Sequence, residues 1–403
     1  MQIIDIPQFI QTHITKRENS LFEADLHRHY NKLSAQIKGK SVLVIGGAGT
    51  IGTSFIKAIL HFRPDKLYVV DTNENGLTEL TRDLRSTAGQ YIPAEYKTYP
   101  MNFGDSVFRK MFVNEGPFHI VANFAAHKHV RSEKDHYSIE SMLDNNVFKA
   151  KQLLDLLTQY KPDHFFCVST DKAANPVNVM GASKKLMEEL IMAYSEDIKI
   201  ATARFANVAF SNGSLLDGYI QRLFKNQPIS CPSDVKRYFV SPEESGQICL
   251  LACILGASGE IYFPKLVPGQ MVKFKDITMD FFRMAGMPVI VCSSEEEAKM
   301  QAQNRKSTDP WPVFFFTSDT SGEKLYEEFY TDTDEIDIET YQGIGVIKNA
   351  KKPSRLQIQN CIHELQKLMT SADYDKSTII SLMKKHLPDF EHIETGKNLD
   401  QKM

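Results

Sequence analysis

The chain has 403 residues, 42% of them hydrophobic and 24% charged, with a formal net charge of −3. That length allows two or three domains, or one large α/β domain with a smaller companion. The near-neutral balance gives no electrostatic reason to expect nucleic acid or an anionic membrane surface as partner. No apolar run nears the ~18 residues of a membrane-crossing helix, and no basic-then-apolar leader opens the sequence. The expectation is a cytoplasmic protein without membrane insertion.

Residues 1–38 carry a charged helical stretch, FEADLHRHYNKL, and form an expected N-terminal arm. From Lys40 the texture changes. SVLVIG is a short β-branched run, followed by glycines and then IGTSFIKAILHF, whose apolar residues fall at helical spacing. KLYVVD, AEYKTYPMN, FHIVANFAA, HFFCVST and KIATARFANV are further expected strands. Helices are expected at NGLTELTRDLRS, SMLDNNVFKAKQLLDLLTQ and MGASKKLMEELIMAYSE. Strands alternating with helices predict right-handed βαβ units. The fold class is therefore α/β. A Rossmann-like doubly wound parallel sheet spans 39–210. A smaller mixed α/β domain, mainly substrate-binding, spans 211–350, and C-terminal helices with a polar tail span 351–403. The cysteines Cys167, Cys231, Cys249, Cys253, Cys292 and Cys361 are scattered with no CxxC pair, which favours reduced thiols over a disulfide framework or a metal site.

Gly46, Gly49 and Gly52 follow the first strand and open a helix at Thr50 and Ile51. The first glycine permits a tight turn, the second lets the backbone approach a pyrophosphate, and the third lets the helix pack on the strand. Asp71 ends the second strand, where it could accept hydrogen bonds from ribose hydroxyls or cap the next helix. A carboxylate there repels a 2′-phosphate, so NAD is favoured over NADP. Asn102, ending the third strand, reads an adenine amino group or is a plain loop residue. Ala125 and Ala126 let the fourth strand pass under a nicotinamide ribose, or only pack against a helix.

Thr170, Asp171 and Lys172 stand at the carboxyl end of the fifth strand, the edge where open α/β sheets bind ligands. Met180 and Lys184 are spaced i, i+4 and share one helix face. Short-chain dehydrogenases carry Tyr and Lys at these places: the lysine holds the cofactor ribose and the tyrosine moves a proton. Lys184 can do its half, but methionine has no titratable proton.

STDKAANPVNVMGASK (169–184) stands with AAHKHVRSEKD (125–135), ARFANVAFSNGS (203–214), KRYFVSPEES (236–245) and GEKLYEE (322–328). Together they resemble the nucleotide-sugar 4,6-dehydratases of capsule, lipopolysaccharide and glycan biosynthesis. These are extended short-chain dehydrogenases that act on UDP-N-acetylglucosamine. The resemblance spans about residues 38–350. It implies NAD, Asp171 as acid, Lys172 as base and Thr170 at the sugar O4. Lys128 and His129 would position substrate, with Met180 at the wall of the site. Asn207, Ser214 and Arg237 would contact substrate and diphosphate, and Glu323 is a weaker member of the set. Members with methionine at the position of Met180 resemble the catalytic domain of larger membrane-anchored dehydratases, from which this sequence departs by having no membrane domain. The family is usually dimeric or higher, and the N-terminal arm is a candidate for such an interface.

The chemistry agrees with the resemblance. A 4,6-dehydration passes a hydride from C4 to NAD, removes H5, expels the C6 hydroxyl as water and returns the hydride to C6. It needs a proton acceptor near O4, a base near C5 and an acid near O6. For each residue a blander role stands beside this one: an ion pair in a turn for Asp171 and Lys172, a helix cap for Thr170, core packing for Met180, a loop histidine for His129, and an exposed salt bridge for Arg237. Two other functions compete, a nucleotide-sugar 4- or 5-epimerase and a catalytically silent NAD-binding protein. One departure bears on substrate. Where the family commonly has Arg-Pro-Gly-Glu-Lys, this sequence has Thr320, Ser321, Gly322, Glu323 and Lys324. Arg305, in the long segment 292–316, is a candidate to replace the lost cation.

Overall fold

Five of the first six strands carry mostly β-branched and aromatic residues buried on both faces, the pattern of a parallel sheet covered by helices. The structure, a computed structural model, describes residues 4–319, 322, 326, 328–371 and 374–394. Strands β1 (Ser41–Ile45), β2 (Lys66–Asp71), β3 (Glu95–Pro100), β4 (Ile120–Asn123), β5 (His164–Val168) and β6 (Ile200–Ala203) lie side by side in the order β3-β2-β1-β4-β5-β6, all parallel. The order reverses between β1 and β4, where Ile45 is in register with Asn123. A crevice opens outside the carboxyl ends of strands at such a switch point. Side chains alternate between two cores: Leu43, Val121 and Phe165 face one helical layer, and Val42, Val44 and Phe166 face the other.

The sheet does not stop where the sequence alternation fades at residue 210. Glu260–Pro264 adds in parallel beside β6, and Ile344–Ile347 and Ile336–Asp337 follow antiparallel. These short strands lie far apart in sequence, so no local periodicity announces them. The Ser106–Glu115 helix between β3 and β4 is a further element the sequence reading passed over. The expected sixth strand is split: the main sheet takes Ile200–Ala203, and Asn207–Val208 pairs with Phe239–Val240 instead. The long segment around 292–316 is a βαβ unit, in which Val289–Cys292 and Trp311–Phe316 run parallel and flank the Glu295–Asn304 helix. Ile229–Pro232 completes that small sheet. No helix among the described residues is long and apolar enough to cross a membrane.

The N-terminal arm packs on its own chain at two places. Phe9, Ile10 and Ile14 enter the core beside Phe281 and Trp311, while Phe22, Leu33 and Ile37 enter the core under the main sheet. Polar contacts fix the span between them. Asp25, 1% exposed, accepts from the Gln342 and Gly343 amides at 2.7 and 2.8 Å. Arg17 forks onto Glu244 at 2.9 and 2.7 Å, and the same carboxylate caps the Pro242–Leu255 helix through the Ser241 amide at 2.8 Å. Gly246 on that helix presses on the Thr50–Leu60 helix, where a Cβ would lie 2.3 Å from the Ser54 backbone. Removing one partner of a buried pair strands the other charge. Arg17→Ala is therefore expected to cost about 3 kcal/mol of stability, seen as a lower urea midpoint at an unchanged m value.

Candidate active site

At the crevice the glycine turn divides its three tasks. Gly46 has φ +75°, and a Cβ on it would lie 2.4 Å from the Ala125 amide, so only glycine lets the turn pass the end of β4. Gly52 presses on the Gly46 carbonyl, 2.3 Å from where its Cβ would be. Gly49 is different: its nearest neighbour would be the Gly46 oxygen at 3.6 Å, so no packing demands a glycine there. The surface above Gly49 is open at the start of the Thr50–Leu60 helix, which suits the close approach of a pyrophosphate. Asp71 accepts from the Ala48 amide at 3.0 Å and from the Asn73 amide at 2.9 Å, tying the turn to the end of β2. Its carboxylate keeps further lone pairs for a ribose diol. The following helix is capped by Asn73, not by Asp71. Asn102 accepts from the Gly104 amide at 2.9 Å through its side-chain oxygen, which anchors the loop and leaves that oxygen a second lone pair. The turn, Asp71 and Lys184 fit a dinucleotide.

A cavity of ≈ 840 Å³ lies beside this turn, bounded by both parts of the molecule. It brings together Ile51, Ala126, Lys128, His129, Thr170, Asp171, Lys172, Met180, Lys184, Asn207, Ser214 and Arg237 from the sequence-predicted set. Gly46, Gly49, Thr50, Gly52, Asp71, Asn102 and Ala125 lie outside its lining.

Thr170, Asp171 and Lys172 meet on one atom. Asp171 Oδ1 accepts from the Thr170 hydroxyl at 2.7 Å, the Lys172 amide at 2.9 Å and Lys172 Nζ at 3.2 Å. Asp171 is 3% exposed, so the group is no solvated surface pair. Met180, 2% exposed, faces the cavity where a phenol is expected and also packs into the core. Tyr219, a tyrosine of the lining, has its hydroxyl engaged with Thr278 Oγ1 at 2.6 Å. Lys184 donates to the Val168 carbonyl at 2.6 Å, and burial lowers its pKa below the usual lysine value.

The substrate side is assembled from several segments. Lys128 donates to the Asn212 carbonyl at 3.0 Å, and the Asn212 amide donates to Thr50 Oγ1 at 2.9 Å, which links this wall of the cavity to the glycine turn. His129 packs against Gly213, whose φ is +73°. Ser214 caps the Leu215–Phe224 helix. Asn207 Nδ2 reaches the Tyr238 carbonyl at 3.5 Å. Arg237, 6% exposed, is held at the wall by the Lys236 carbonyl at 2.9 Å and is no surface arginine. Arg305 does not reach the cavity. Its guanidinium stacks on Trp311 at 4.1 Å and donates to Asn226, which corrects its assignment as the replacement cation. Arg222, which the sequence reading passed over, lines the cavity with Arg237. Thr320, Ser321, Glu323 and Lys324 lie outside the described residues.

Two further groups escaped the sequence reading. The expected long helix opens into a π-turn at Asp144–Phe148, a feature frequent at functional sites. There Asn146 bonds both backbone groups of His127 at 2.9 and 3.0 Å and Ser183 Oγ at 3.0 Å, joining the end of β4 to the Met180 helix. Beneath Thr170, Glu188 receives Ser169 Oγ at 2.6 Å and a fork from Arg204 at 2.9 and 2.7 Å. Burial opposes the Glu188 charge, but the Arg204 guanidinium outweighs it and holds the carboxyl below its usual range. Only the i, i+4 spacing of Lys184 and Glu188 hints at this in the sequence. Among the described residues no cluster of three or more His, Cys, Asp or Glu side chains could hold a metal ion.

Residues 42–349 match the family described as polysaccharide biosynthesis protein. The chain belongs to that family. It is 28% identical over 316 residues to the probable polysaccharide biosynthesis protein EpsC of Bacillus subtilis, covering 78% of this chain and 48% of EpsC. It is 29% identical to the capsular polysaccharide biosynthesis protein CapD of Staphylococcus aureus, covering 73% of this chain and 46% of CapD. The chain thus spans about half the length of these relatives. To a UDP-N-acetylglucosamine 4,6-dehydratase (inverting) of Campylobacter jejuni it is 25% identical, covering 57% of this chain and 67% of that one. Among solved structures, Pen from Bacillus thuringiensis superposes with TM-score 0.63 at 19% identity, covering 88% of this chain and 98% of Pen. DesIV, a dTDP-glucose 4,6-dehydratase from Streptomyces venezuelae, superposes with TM-score 0.55 at 17% identity over 72% and 88%. These likenesses establish the extended short-chain-dehydrogenase fold.

The buried Lys184 has a thermodynamic signature. Its folded pKa lies below the unfolded value of about 10.4, so between the two the unfolded chain binds more protons and stability rises with pH. Lys184→Met removes that dependence. The stability difference, wild type minus variant, is expected to climb as pH rises towards about 10.4 in urea unfolding; a flat difference would contradict the lowered pKa.

Proposed function

We propose that this chain is a nucleotide-sugar 4,6-dehydratase that converts UDP-N-acetylglucosamine to a UDP-4-keto-6-deoxy sugar for surface-glycan biosynthesis. The observation that carries the reading is the convergence of Thr170, Asp171 and Lys172 on one carboxylate oxygen beside Met180, at the wall of the cavity. A plain oxidation needs one proton acceptor; this edge offers three proton-handling groups and no phenol. Family membership and the Campylobacter dehydratase support the same class of reaction.

The Gly46–Gly52 turn, Asp71 and Lys184 would hold NAD, which would supply the hydride acceptor and donor. Thr170 takes the O4 proton and passes its own to Asp171, 2.7 Å away. That loads the carboxylic acid that a departing C6 hydroxyl requires. Lys172, unprotonated at this step, takes H5, which the C4 ketone has acidified, and later returns the proton to C5. Asp171 protonates O6 and water leaves. Atoms balance: one water is lost, and both side chains regain their starting states. Arg237 and Arg222 suit the diphosphate, where a planar fork can bind bidentately.

A 4-epimerase needs a base at O4 but none at C5 and no acid at C6, so Asp171 and Lys172 weigh against it. Mass spectrometry of UDP-N-acetylglucosamine incubated with the enzyme and NAD separates the readings. The expected product is lighter by one water; an unchanged mass with altered chromatography marks an epimer, and no reaction marks a silent NAD-binding protein. Asp171→Asn and Lys172→Ala should each lower kcat/KM by about 10²-fold or more. Full turnover in either would overturn the assigned roles.

A further inference from the structure

The end of the chain reads as a polar tail in the sequence, but Glu391–Ile393 dock on the cavity wall. The Glu391 amide donates to the Pro176 carbonyl at 3.2 Å and the Ile393 amide to the Val177 carbonyl at 3.0 Å. On the other side the Gly322 amide donates to the Ile393 carbonyl at 3.0 Å. Asn178 Nδ2 closes the ring onto the Gly322 carbonyl at 2.8 Å. Asn175, Val177, Asn178 and Gly322 all line the cavity. The loop that follows Thr170–Lys172 therefore finds its backbone partners in the last described residues of the chain, and buried backbone groups need such partners. Side chains add a second link. Glu133 Oε2 accepts from the Val179 amide at 2.6 Å, at the start of the helix that bears Met180 and Lys184. Glu133 Oε1 lies 3.8 Å from His392 Nε2, with the two side chains 6% and 5% exposed. Leu387 and Phe390, 3% and 2% exposed, anchor the approach to this segment in the core.

We propose that Glu391–Ile393 is a clasp that completes the wall of the substrate cavity, with Glu133 and His392 as positioning residues for the Met180–Lys184 helix. The proposal rests on reading the cavity as a nucleotide-sugar site. The clasp is short and irregular, held by three backbone hydrogen bonds and one partly satisfied pair, so it belongs to the low-stability end of the molecule. It can therefore hold the loop in its working position without being required for the fold.

Hydrogen exchange read by mass spectrometry tests this on the full chain, on a chain ending at Phe390 and on Ile393→Pro. The last removes the donor to Val177 and restricts the backbone at 392–393 while keeping both core anchors, so it covers the case in which the shortened chain fails to fold. Exchange across 176–180 should quicken by about tenfold in both variants, with the global melting temperature little changed. The KM for UDP-N-acetylglucosamine should rise by a similar factor while kcat falls much less. Unchanged protection of 176–180 in Ile393→Pro would overturn the clasp. Absence of turnover in every form of the chain would sink the proposed reaction instead, and the exchange measurement would still decide the clasp.

Discussion

Arg204 and Glu188 meet in a fork with both side chains 2% exposed, and four segments converge on them. Ser169, the residue before Thr170, donates to Glu188. Glu188 sits one turn beyond Lys184 on the helix that starts at Val179. Arg204 follows β6, where the chain leaves the main sheet for the pairing of Asn207–Val208 with Phe239–Val240. Its remaining donor reaches the Phe329 carbonyl at 2.9 Å, near Asp334. Taking two charges out of water is costly, and such a pair holds only when its donors and acceptors are used. Here Nε, Nη1 and Nη2 of Arg204 all find oxygen. The pair thus fixes the strand end, the helix and the chain crossing in one geometry. Asp171 stands close enough for its charge to favour the Arg204 cation, so the positive centre below the edge is coupled to the carboxylate at its surface.

How well each part can be read from sequence follows from the range of the force that shapes it. The cofactor turn is decided by sterics within a few residues. Gly46 and Gly52 are needed for close approach of backbone, and the GxxGxxG spacing carries that information directly. The strand-end trio is legible for a similar reason, because a parallel sheet delivers the residue after a strand to its carboxyl edge. Asn146 was not legible: its partners His127 and Ser183 are fixed by a π-turn, which leaves no mark in a periodic pattern. Arg305 misled because charge type is local while reach is global; Trp311 captures its guanidinium before it can face the cavity. The Ser106–Glu115 helix had its signal in Phe108, Met111 and Phe112, buried at helical spacing, and was missed for its brevity. The outer strands beyond residue 210 carried no signal of any period, since their partners lie tens of residues away.

Met180 changes the work that Lys184 does. In a Tyr–Lys pair the ammonium stabilises a phenolate as the proton leaves, so the lysine charge is balanced by an anion formed during the reaction. A thioether forms no anion. Lys184 is nonetheless buried and desolvated, and its ammonium is held by the Val168 carbonyl, with the Glu188 carboxylate favouring its charge. It is therefore a fixed hydrogen-bond donor at the end of β5. The negative charge that answers it is permanent, and it is shared with Arg204. Thr170, Asp171 and Lys172 follow the same strand end, and their hydrogen bonds gather on Asp171 Oδ1 and not on Lys184. Glu188, one turn beyond Lys184 and bonded to both Ser169 and Arg204, ties the helix that bears Lys184 to the strand end that carries Thr170, Asp171 and Lys172.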